Sequence, residues 1–209
     1  MKTYNSEQYV PALWDAPKNV HALTTTREGG FSKAPFDTLN LGDHVGDDAL
    51  MVEKNRQTLL SDLGVSSAQW LEQVHGIDCV SASPSGSVPQ ADACWSDQSG
   101  LACVVMTADC LPVFFCNMQG DRVAVAHAGW RGLLDGVLEN TLKVFSATDK
   151  VIAWFGTAIG PSAFEVGAEV RQQFLDTHAL LDKDLVSLTD ARETRSLSSR
   201  ACESKNCCR

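Results

Sequence analysis

Three short, almost continuously apolar runs lie in the middle of this 209-residue chain, at residues 101–107, 112–116 and 122–127. Turn-forming residues separate the runs. Apolar runs of this length, without polar residues at alternate positions, are typical of strands that are buried on both faces of a sheet. The sequence therefore predicts that these strands form the centre of the fold and that the rest of the chain packs around them.

The elements around this centre alternate irregularly. Further strands are predicted at 20–26, 68–74, 77–82 and 151–155, and helices from Asp47 to Gly64, over 131–146 and over 165–177. The helix over 131–146 is expected to bury Leu134, Val137, Leu138, Leu142 and Phe145. Because this order contains both hairpins and crossovers, we predict an α+β fold with mixed sheets rather than a doubly wound α/β fold.

The length predicts a single domain, since 209 residues are ample for one core and cramped for two. We expect residues 1–190 to form this domain. Residues 191–209 contain one large apolar residue and show no periodicity. They are therefore predicted to form an irregular or disordered tail.

Composition and charge argue against several classes of protein. No apolar run approaches the roughly 20 residues of a membrane helix, and residues 1–10 lack the apolar stretch of a signal peptide. A net charge of −9 without a basic cluster argues against nucleic-acid binding. Eight cysteines without a secretion signal are expected to be reduced thiols. We therefore expect a cytoplasmic monomer that contacts neither membranes nor nucleic acid.

Three side chains that bind metals well lie where apolar runs meet glycine- or proline-marked turns. They are His75 before Gly76, Cys110 before Leu111-Pro112, and His127 before Ala128-Gly129. Two imidazoles and one thiolate form the protein ligand set of a catalytic zinc site, which keeps its fourth position for water or substrate. A structural zinc site would close with a fourth Cys or His.

Each of the three residues also has an ordinary interpretation. A buried cysteine is usually a small hydrophobic residue, and a buried histidine is often a hydrogen-bonded core residue. The chain lacks the His-Glu-x-x-His and Cys-x-x-Cys motifs, and five histidines are too few for an imidazole-based copper cluster. The residues alone leave two hypotheses open: a mononuclear zinc site, or a nucleophile–base pair of Cys110 and His127.

Arg131 begins the predicted helix that follows His127. The exposed N–H groups of a helix start favour anions, so a phosphate held there would lie close to His127. The alternative is that Arg131 is an ordinary surface arginine.

Six motifs occur along the chain: Thr25-Thr26-Arg27-x-Gly29-Gly30, Leu39-Asn40-Leu41-Gly42, Glu72-Gln73-Val74-His75-Gly76, Ala91-Asp92-Ala93, Thr107-Ala108-Asp109-Cys110-Leu111-Pro112 and His127-Ala128-Gly129-Trp130-Arg131-Gly132. Together they closely resemble the bacterial laccase-domain family. Its members have been named multicopper polyphenol oxidase, peptidoglycan-editing factor and purine nucleoside phosphorylase. The resemblance extends from about Pro17 to Glu169.

The resemblance implies a layered α/β/β/α fold and a metal ion on His75, Cys110 and His127, with zinc expected and copper as the alternative. It implies phosphorolysis of adenosine, inosine, guanosine and methylthioadenosine, and adenosine deaminase activity, so the expected partners are a small-molecule nucleoside and phosphate. The older names imply two alternatives. These are copper-dependent, laccase-like phenol oxidation and a Cys–His amidase acting on peptidoglycan precursors.

For phosphorolysis, Arg27 and Arg131 are the candidate phosphate ligands. Asn40, in the long loop over 31–46, is the candidate for binding a sugar hydroxyl or a base edge. The catalytic candidates are Cys110, His127, Arg27 and Asn40. For Arg27 and Asn40, ordinary turn chemistry is the alternative. Residues after Asp190 depart from the family pattern and look like a frameshifted or replaced end.

Overall fold

A computed structural model describes residues 4–177 of the chain. Its strands are β1 (Tyr9–Pro11), β2 (Leu23–Thr25), β3 (Ser67–Gln69), β4 (Cys79–Ser81), β5 (Ala93–Ser96), β6 (Leu101–Cys103), β7 (Leu111–Asn117), β8 (Val123–Ala128) and β9 (Val151–Phe155). Its helices are α1 (Ala49–Leu63), α2 (Trp130–Asp135), α3 (Val137–Leu142) and α4 (Ala168–Thr177). The predicted tail, 191–209, lies outside the described residues.

The main sheet has five strands in the order β4-β5-β8-β7-β9, of which β4 and β5 are parallel and the other neighbours antiparallel. Two smaller sheets pair β3 with β6 in parallel and β1 with β2 antiparallel. The two central strands β7 and β8 are mostly buried, as their apolar sequences predict. The mixed sheets and the single α+β domain confirm the predicted fold class.

The side chains of the main sheet alternate between two cores. On one face Val113, Ala126 and Ala93 pack with Val137 of α3. On the other face Cys94 and Val125 pack with residues of and beside β6. Helix α1 adjoins the β3–β6 sheet, where Arg56 stacks on Trp70 just after β3. The layers therefore follow the expected α/β/β/α order.

Helix α1 begins and ends at the predicted residues. Asp48 caps it by accepting a hydrogen bond from the Leu50 N–H, and Gly64 ends it in the left-handed conformation with φ of 64°. An acidic N-cap and a left-handed glycine satisfy the backbone groups that helix ends leave without partners.

The predicted helix over 131–146 is two helices instead of one. Gly136 separates α2 from α3 with φ of 99°, a left-handed conformation that glycine adopts at little cost and that ends the first helix. The break also changes which side chains face the core. Val137 and Phe145 are buried as predicted, whereas Leu142 is 42% exposed, so the prediction for Leu142 is wrong.

Four predicted strands are shorter than expected, including those over 20–26 and 77–82, which form only β2 and β4. The run over 101–107 forms a strand only as far as Cys103, because its partner strand β3 ends at Gln69. The Met106 N–H donates to the side chain of Gln73, and the Val104 N–H donates to the carbonyl of Gln69. The run over 68–74 contains only β3 and an isolated bridge at Glu72. Strands β1 and β5 were not predicted.

The long loop over 31–46 has no regular secondary structure, as predicted, but it is fixed to α1 through Asn55. The side chain of Asn55 is fully buried. It accepts from the Phe31 N–H and donates to the Ser32 hydroxyl and to the carbonyls of Thr38 and Asn40. One side chain of α1 thus orders both halves of the loop.

The described cysteines are free thiols, as predicted, with Cys94 and Cys116 fully buried and the others partly buried. Among residues 4–177 no helix is long and apolar enough to cross a membrane.

Candidate metal centre

The three predicted ligand side chains lie together at one end of the main sheet. His127 lies in β8 opposite Pro112 of β7, so Cys110, just before β7, reaches the same end of the sheet. His75 approaches from the loop before β4. The candidate ligand atoms of the three side chains lie within 4.8 Å of one another.

The distances within this cluster suit a tetrahedral metal ion. The Cys110 Sγ lies 4.0 Å from the His75 Nε2, and the ring centroids of His75 and His127 are 4.8 Å apart. In a tetrahedral zinc site with ordinary bond lengths, ligand atoms are roughly 3.3–3.6 Å apart. Inward movements of under about 1 Å would therefore give zinc-like geometry. Soft thiolate and imidazole donors are also the donors that zinc prefers.

The loop that carries His75 is held in an unusual conformation. His75 has φ of 59°, and no other non-glycine residue among those described has a positive φ. The backbone N–H groups of Val74, His75 and Gly76 all donate to the carboxylate of Asp92, at 3.1, 2.9 and 2.7 Å. These bonds offset the cost of the left-handed residue.

His127 is buried and bonded to the same carboxylate. Its Nδ1 lies 2.8 Å from the Asp92 Oδ1, and its side chain is 4% exposed. Burial lowers the pKa of His127, and nearby His75 acts in the same direction, although Asp92 opposes both. His127 is therefore a neutral imidazole near pH 7, which is the form that binds metals.

Cys110 is partly buried. Burial raises the pKa of its thiol, and the carboxylates of Asp109 and Asp92 raise it further. A nucleophilic cysteine needs a lowered pKa, so this environment argues against a Cys110–His127 nucleophile pair. A metal ligand loses its proton to the metal instead.

Two glycines after His127 allow a close approach to the His75 loop. A side chain at Gly129 would place its Cβ 2.7 Å from the His75 ring, and one at Gly132 would place it 2.8 Å from the Gly76 carbonyl oxygen. These contacts are shorter than real Cβ contacts. The two glycines therefore let the backbone before and within α2 lie directly against His75 and Gly76.

Gln73 joins the segment that carries His75 to the segment that leads to Cys110. Its side-chain amide donates to the Met106 carbonyl at 2.8 Å and accepts from the Met106 N–H at 2.7 Å. This pair of hydrogen bonds resembles one step of a β-ladder. It fixes the approach of two ligand-bearing segments that are far apart in sequence.

Arg27 lies in the loop after β2. Its Nε donates to the Asp37 carbonyl at 2.6 Å, and its guanidinium lies 3.8 Å from the Asp37 carboxylate. The side chain of Arg27 is still 39% exposed. Its guanidinium is therefore held in place within the loop while part of it faces solvent.

The side chain of Asn40 bonds within its own loop. It donates to the Gly42 carbonyl and the Asp47 carboxylate and accepts from the Gly42 N–H. The neighbouring Leu41 carbonyl accepts a hydrogen bond from Arg56, whose guanidinium also stacks on Trp70. Arg56 thus links the Asn40 loop to the segment that leads to His75.

Arg131 is exposed in the first turn of α2, with its guanidinium carbon 4.5 Å from the centre of the Trp130 ring. It lies between Gly129 and Gly132, the two glycines that contact the His75 loop. The backbone of Arg131 therefore lies next to the segment that approaches the His75 loop.

Asp92 is a residue of this centre for which the sequence predicted no role. A signal was available, because an acidic residue between two alanines at the start of a buried strand needs a partner. Its fully buried carboxylate contacts the backbone around His75 and the ring of His127.

Residues 21–201 match the model of a family described as multi-copper polyphenol oxidoreductase laccase. The chain belongs to this family. The predicted resemblance is thereby confirmed.

Two related proteins of this family carry a different kind of name. A purine nucleoside phosphorylase of Pseudomonas aeruginosa is 55% identical over 167 residues, which cover 79% of this chain and 68% of the relative. The purine nucleoside phosphorylase YfiH of Escherichia coli is 51% identical over 170 residues, which cover 79% and 70%.

Solved structures show the same fold. A Neisseria meningitidis protein is 40% identical with a TM-score of 0.80, and the match covers 88% of this chain and 81% of that protein. The YlmD protein of Geobacillus stearothermophilus is 31% identical with a TM-score of 0.73, over 82% and 70%.

Proposed function

We propose that this chain is a zinc-dependent purine nucleoside phosphorylase that acts on adenosine, inosine, guanosine and methylthioadenosine and also deaminates adenosine. The observation that carries this proposal is the cluster of His75, Cys110 and His127. Three such donors leave one coordination position open, as in catalytic zinc sites. The names of the relatives support the reaction class.

Phosphorolysis exchanges the purine on a ribose for phosphate. A phosphate oxygen forms a bond to ribose C1′ while the bond from C1′ to the purine nitrogen breaks. The purine leaves with the electron pair of that bond and takes up a proton. The protein must therefore hold phosphate next to the ribose and stabilise the negative charge that develops on the purine.

The chain offers charged and polar groups for these tasks. Arg131 and Arg27 are the proposed phosphate ligands, since a guanidinium can bind two phosphate oxygens at once. Asn40 is proposed to bond a ribose hydroxyl or a base edge. The link through Arg56 from the Asn40 loop to Trp70, five residues before His75, supports this placement.

Cys110 and His127 are proposed to act on the substrate as ligands of the metal ion, together with His75. When bound, a zinc ion supplies a Lewis acid that polarises an oxygen ligand, which includes the water that deamination needs. The neutral state of buried His127 and the partial burial of Cys110 suit both residues to this ligand role.

Copper-dependent phenol oxidation is the second candidate, and the description of the matching family favours it. It would require copper in the three-ligand cluster and the uptake of oxygen with phenols. Two histidines and one cysteine also bind copper, so the donor set alone does not separate the two metals.

The test is incubation of the purified protein with adenosine, with and without inorganic phosphate. We expect adenine only when phosphate is present. Without phosphate the deaminase activity should give inosine, and with phosphate part of that inosine should be converted to hypoxanthine. Adenine release without phosphate would indicate a hydrolase. The same protein loaded with copper and given phenols tests the second candidate, and oxygen uptake there without any nucleoside turnover would contradict our proposal.

A further inference from the structure

One buried carboxylate contacts both histidines of the candidate metal centre. The Asp92 Oδ1 accepts from the His75 N–H at 2.9 Å and lies 2.8 Å from the His127 Nδ1. The Asp92 Oδ2 accepts from the N–H groups of Val74 and Gly76. The side chain is fully buried, so these four nitrogens surround it in place of water.

We propose that Asp92 is a positioning residue that sets the tautomer of His127 and the conformation of the His75 loop. This inference rests on the metal-binding part of the proposed function and is independent of the nucleoside chemistry. It concerns which nitrogen of His127 carries a proton before any metal binds.

The tautomer follows from the donors around the carboxylate. Three backbone N–H groups face its oxygens, and a backbone N–H only donates, so these oxygens act as acceptors. A contact of 2.8 Å from Oδ1 to the His127 Nδ1 then requires the proton on Nδ1. A neutral imidazole carries one N–H, so Nε2 keeps its lone pair for the metal.

The same carboxylate acts on His75 through the backbone. It gathers three consecutive N–H groups, from Val74 to Gly76, and this arrangement accompanies the left-handed conformation of His75. In that conformation the His75 Nε2 lies 4.0 Å from the Cys110 Sγ. Asp92 therefore holds one imidazole by its ring and the other by its main chain.

An Asp92→Asn variant keeps the shape of the side chain, but only one of its two terminal atoms can accept hydrogen bonds. If the amide oxygen takes the Oδ2 position, it accepts from Val74 and Gly76. Its NH2 group then faces one backbone donor, the His75 N–H, and the His127 Nδ1, and it favours the His127 tautomer with the proton on Nε2. In the opposite orientation the NH2 group faces two backbone N–H donors, Val74 and Gly76, which is worse because buried donors lose their acceptor. The variant should therefore favour the tautomer whose Nε2 has no lone pair for the metal, so metal binding must first move the proton and becomes weaker.

The experiment measures the tautomer and the zinc affinity separately. Imidazole nitrogen NMR of the metal-free proteins should show His127 protonated on Nδ1 in the wild type and on Nε2 in Asp92→Asn. Chelator competition should show a loss of zinc affinity of roughly 10–100-fold in the variant. Asp62→Asn is the control, because among residues 4–177 the Asp62 side chain accepts a hydrogen bond only from the Tyr9 hydroxyl, and asparagine retains that acceptor. It should match the wild type in both measurements.

Three results would overturn the inference. A wild-type His127 protonated on Nε2 would do so even if Asp92→Asn fails to fold. A folded Asp92→Asn protein with wild-type zinc affinity would do so as well, as would one whose His127 stays protonated on Nδ1. A wild type with the expected tautomer and zinc but no phosphorolysis would instead contradict only the proposed function.

Discussion

At the scale of single residues, the candidate metal centre requires a residue without a side chain next to the candidate ligands. Gly129 follows His127 by two positions and lies directly against two other ligands. A Cβ there would lie 2.7 Å from the His75 Cδ2 and 3.3 Å from the Cys110 Sγ. The backbone of Gly129, with φ of −62° and ψ of 156°, suits any residue, so only the contact with the ligands requires glycine.

Gly129→Ala should therefore weaken metal binding without strain in its own backbone. We expect zinc affinity to fall by roughly 10–100-fold, as for other changes that displace ligands without removing them. Gly160→Ala is the matched control, since a Cβ at Gly160 would meet no atom within 4 Å. Chelator competition on both variants measures the effect, and equal affinities would show that the close packing of Gly129 is irrelevant to the metal.

The raised pKa of Cys110 predicts a pH dependence of zinc binding. In the metal-free protein the thiol is protonated at neutral pH, because burial and the carboxylates of Asp109 and Asp92 raise its pKa. The metal-bound form requires the thiolate, so binding releases one proton from Cys110. Burial lowers the pKa of His127, so at neutral pH its imidazole releases none.

Zinc affinity should therefore rise about tenfold per pH unit from pH 7 until the raised pKa of Cys110 is reached. Titrations in buffers of different ionisation enthalpy count the released protons. Binding that is independent of pH over this range would mean that Cys110 is already a thiolate or is not a ligand.

At the scale of secondary-structure elements, the candidate substrate loop derives its order from α1. This loop carries Asn40 and adjoins Arg27, and the side chain of Asn55 makes four hydrogen bonds to it. A second connection runs through Arg56, which bonds the Leu41 carbonyl and pairs with Asp43 at 3.3 Å. The helix thus holds the loop on both sides of the loop's turn at residues 33–36.

Asn55→Ala should destabilise the protein more than an ordinary surface change. The substitution leaves buried partners unsatisfied, so we expect the free energy of unfolding to fall by about 2–4 kcal/mol. Gln57→Ala on the same helix is the control, because the exposed Gln57 side chain bonds only Glu53 within the described part of the chain. This substitution should change stability by less than about 0.5 kcal/mol. Urea unfolding of both variants measures the difference. Equal midpoints would mean that the loop does not depend on Asn55.

The sequence predicts elements well where the local pattern alone decides them. Strands β7 and β8 are unbroken apolar runs, and α1 carries its own cap residues, Asp48 and Gly64. The break at Gly136 could not be predicted with the same ease, because an isolated glycine is tolerated within a helical pattern. The early end of β6 depends on where its partner β3 ends and on a hydrogen bond that the Met106 N–H donates to distant Gln73.

The residues of the candidate site also differ in whether the local sequence pattern alone predicts them. His75, Cys110 and His127 could be predicted because each type binds metals and each lies at a turn. Asp92 acts on partners 16 to 35 residues away in sequence, so its role appears only when the strands are assembled. Its register next to His127 places the two side chains on the same face of the main sheet, beside Cys94 and Val125.

At the scale of the whole molecule, the topology explains why the three candidate ligands lie together. The antiparallel neighbours β5, β8 and β7 bring Asp92, His127 and Cys110 to one end of the sheet. The loop before β4 adds His75. The family's description refers to copper and oxidation, whereas the relatives are named phosphorylases. The identity of the metal therefore distinguishes the two candidate activities.

The most direct test is the metal content of the protein purified without added metals. Elemental analysis should find one zinc per chain in the wild type and in Cys79→Ala, which removes a partly buried thiol that is not a member of the three-residue cluster. It should find zinc largely lost in Cys110→Ala, with the fold retained. Full zinc in Cys110→Ala, or copper in place of zinc in the wild type, would contradict the zinc centre proposed for His75, Cys110 and His127.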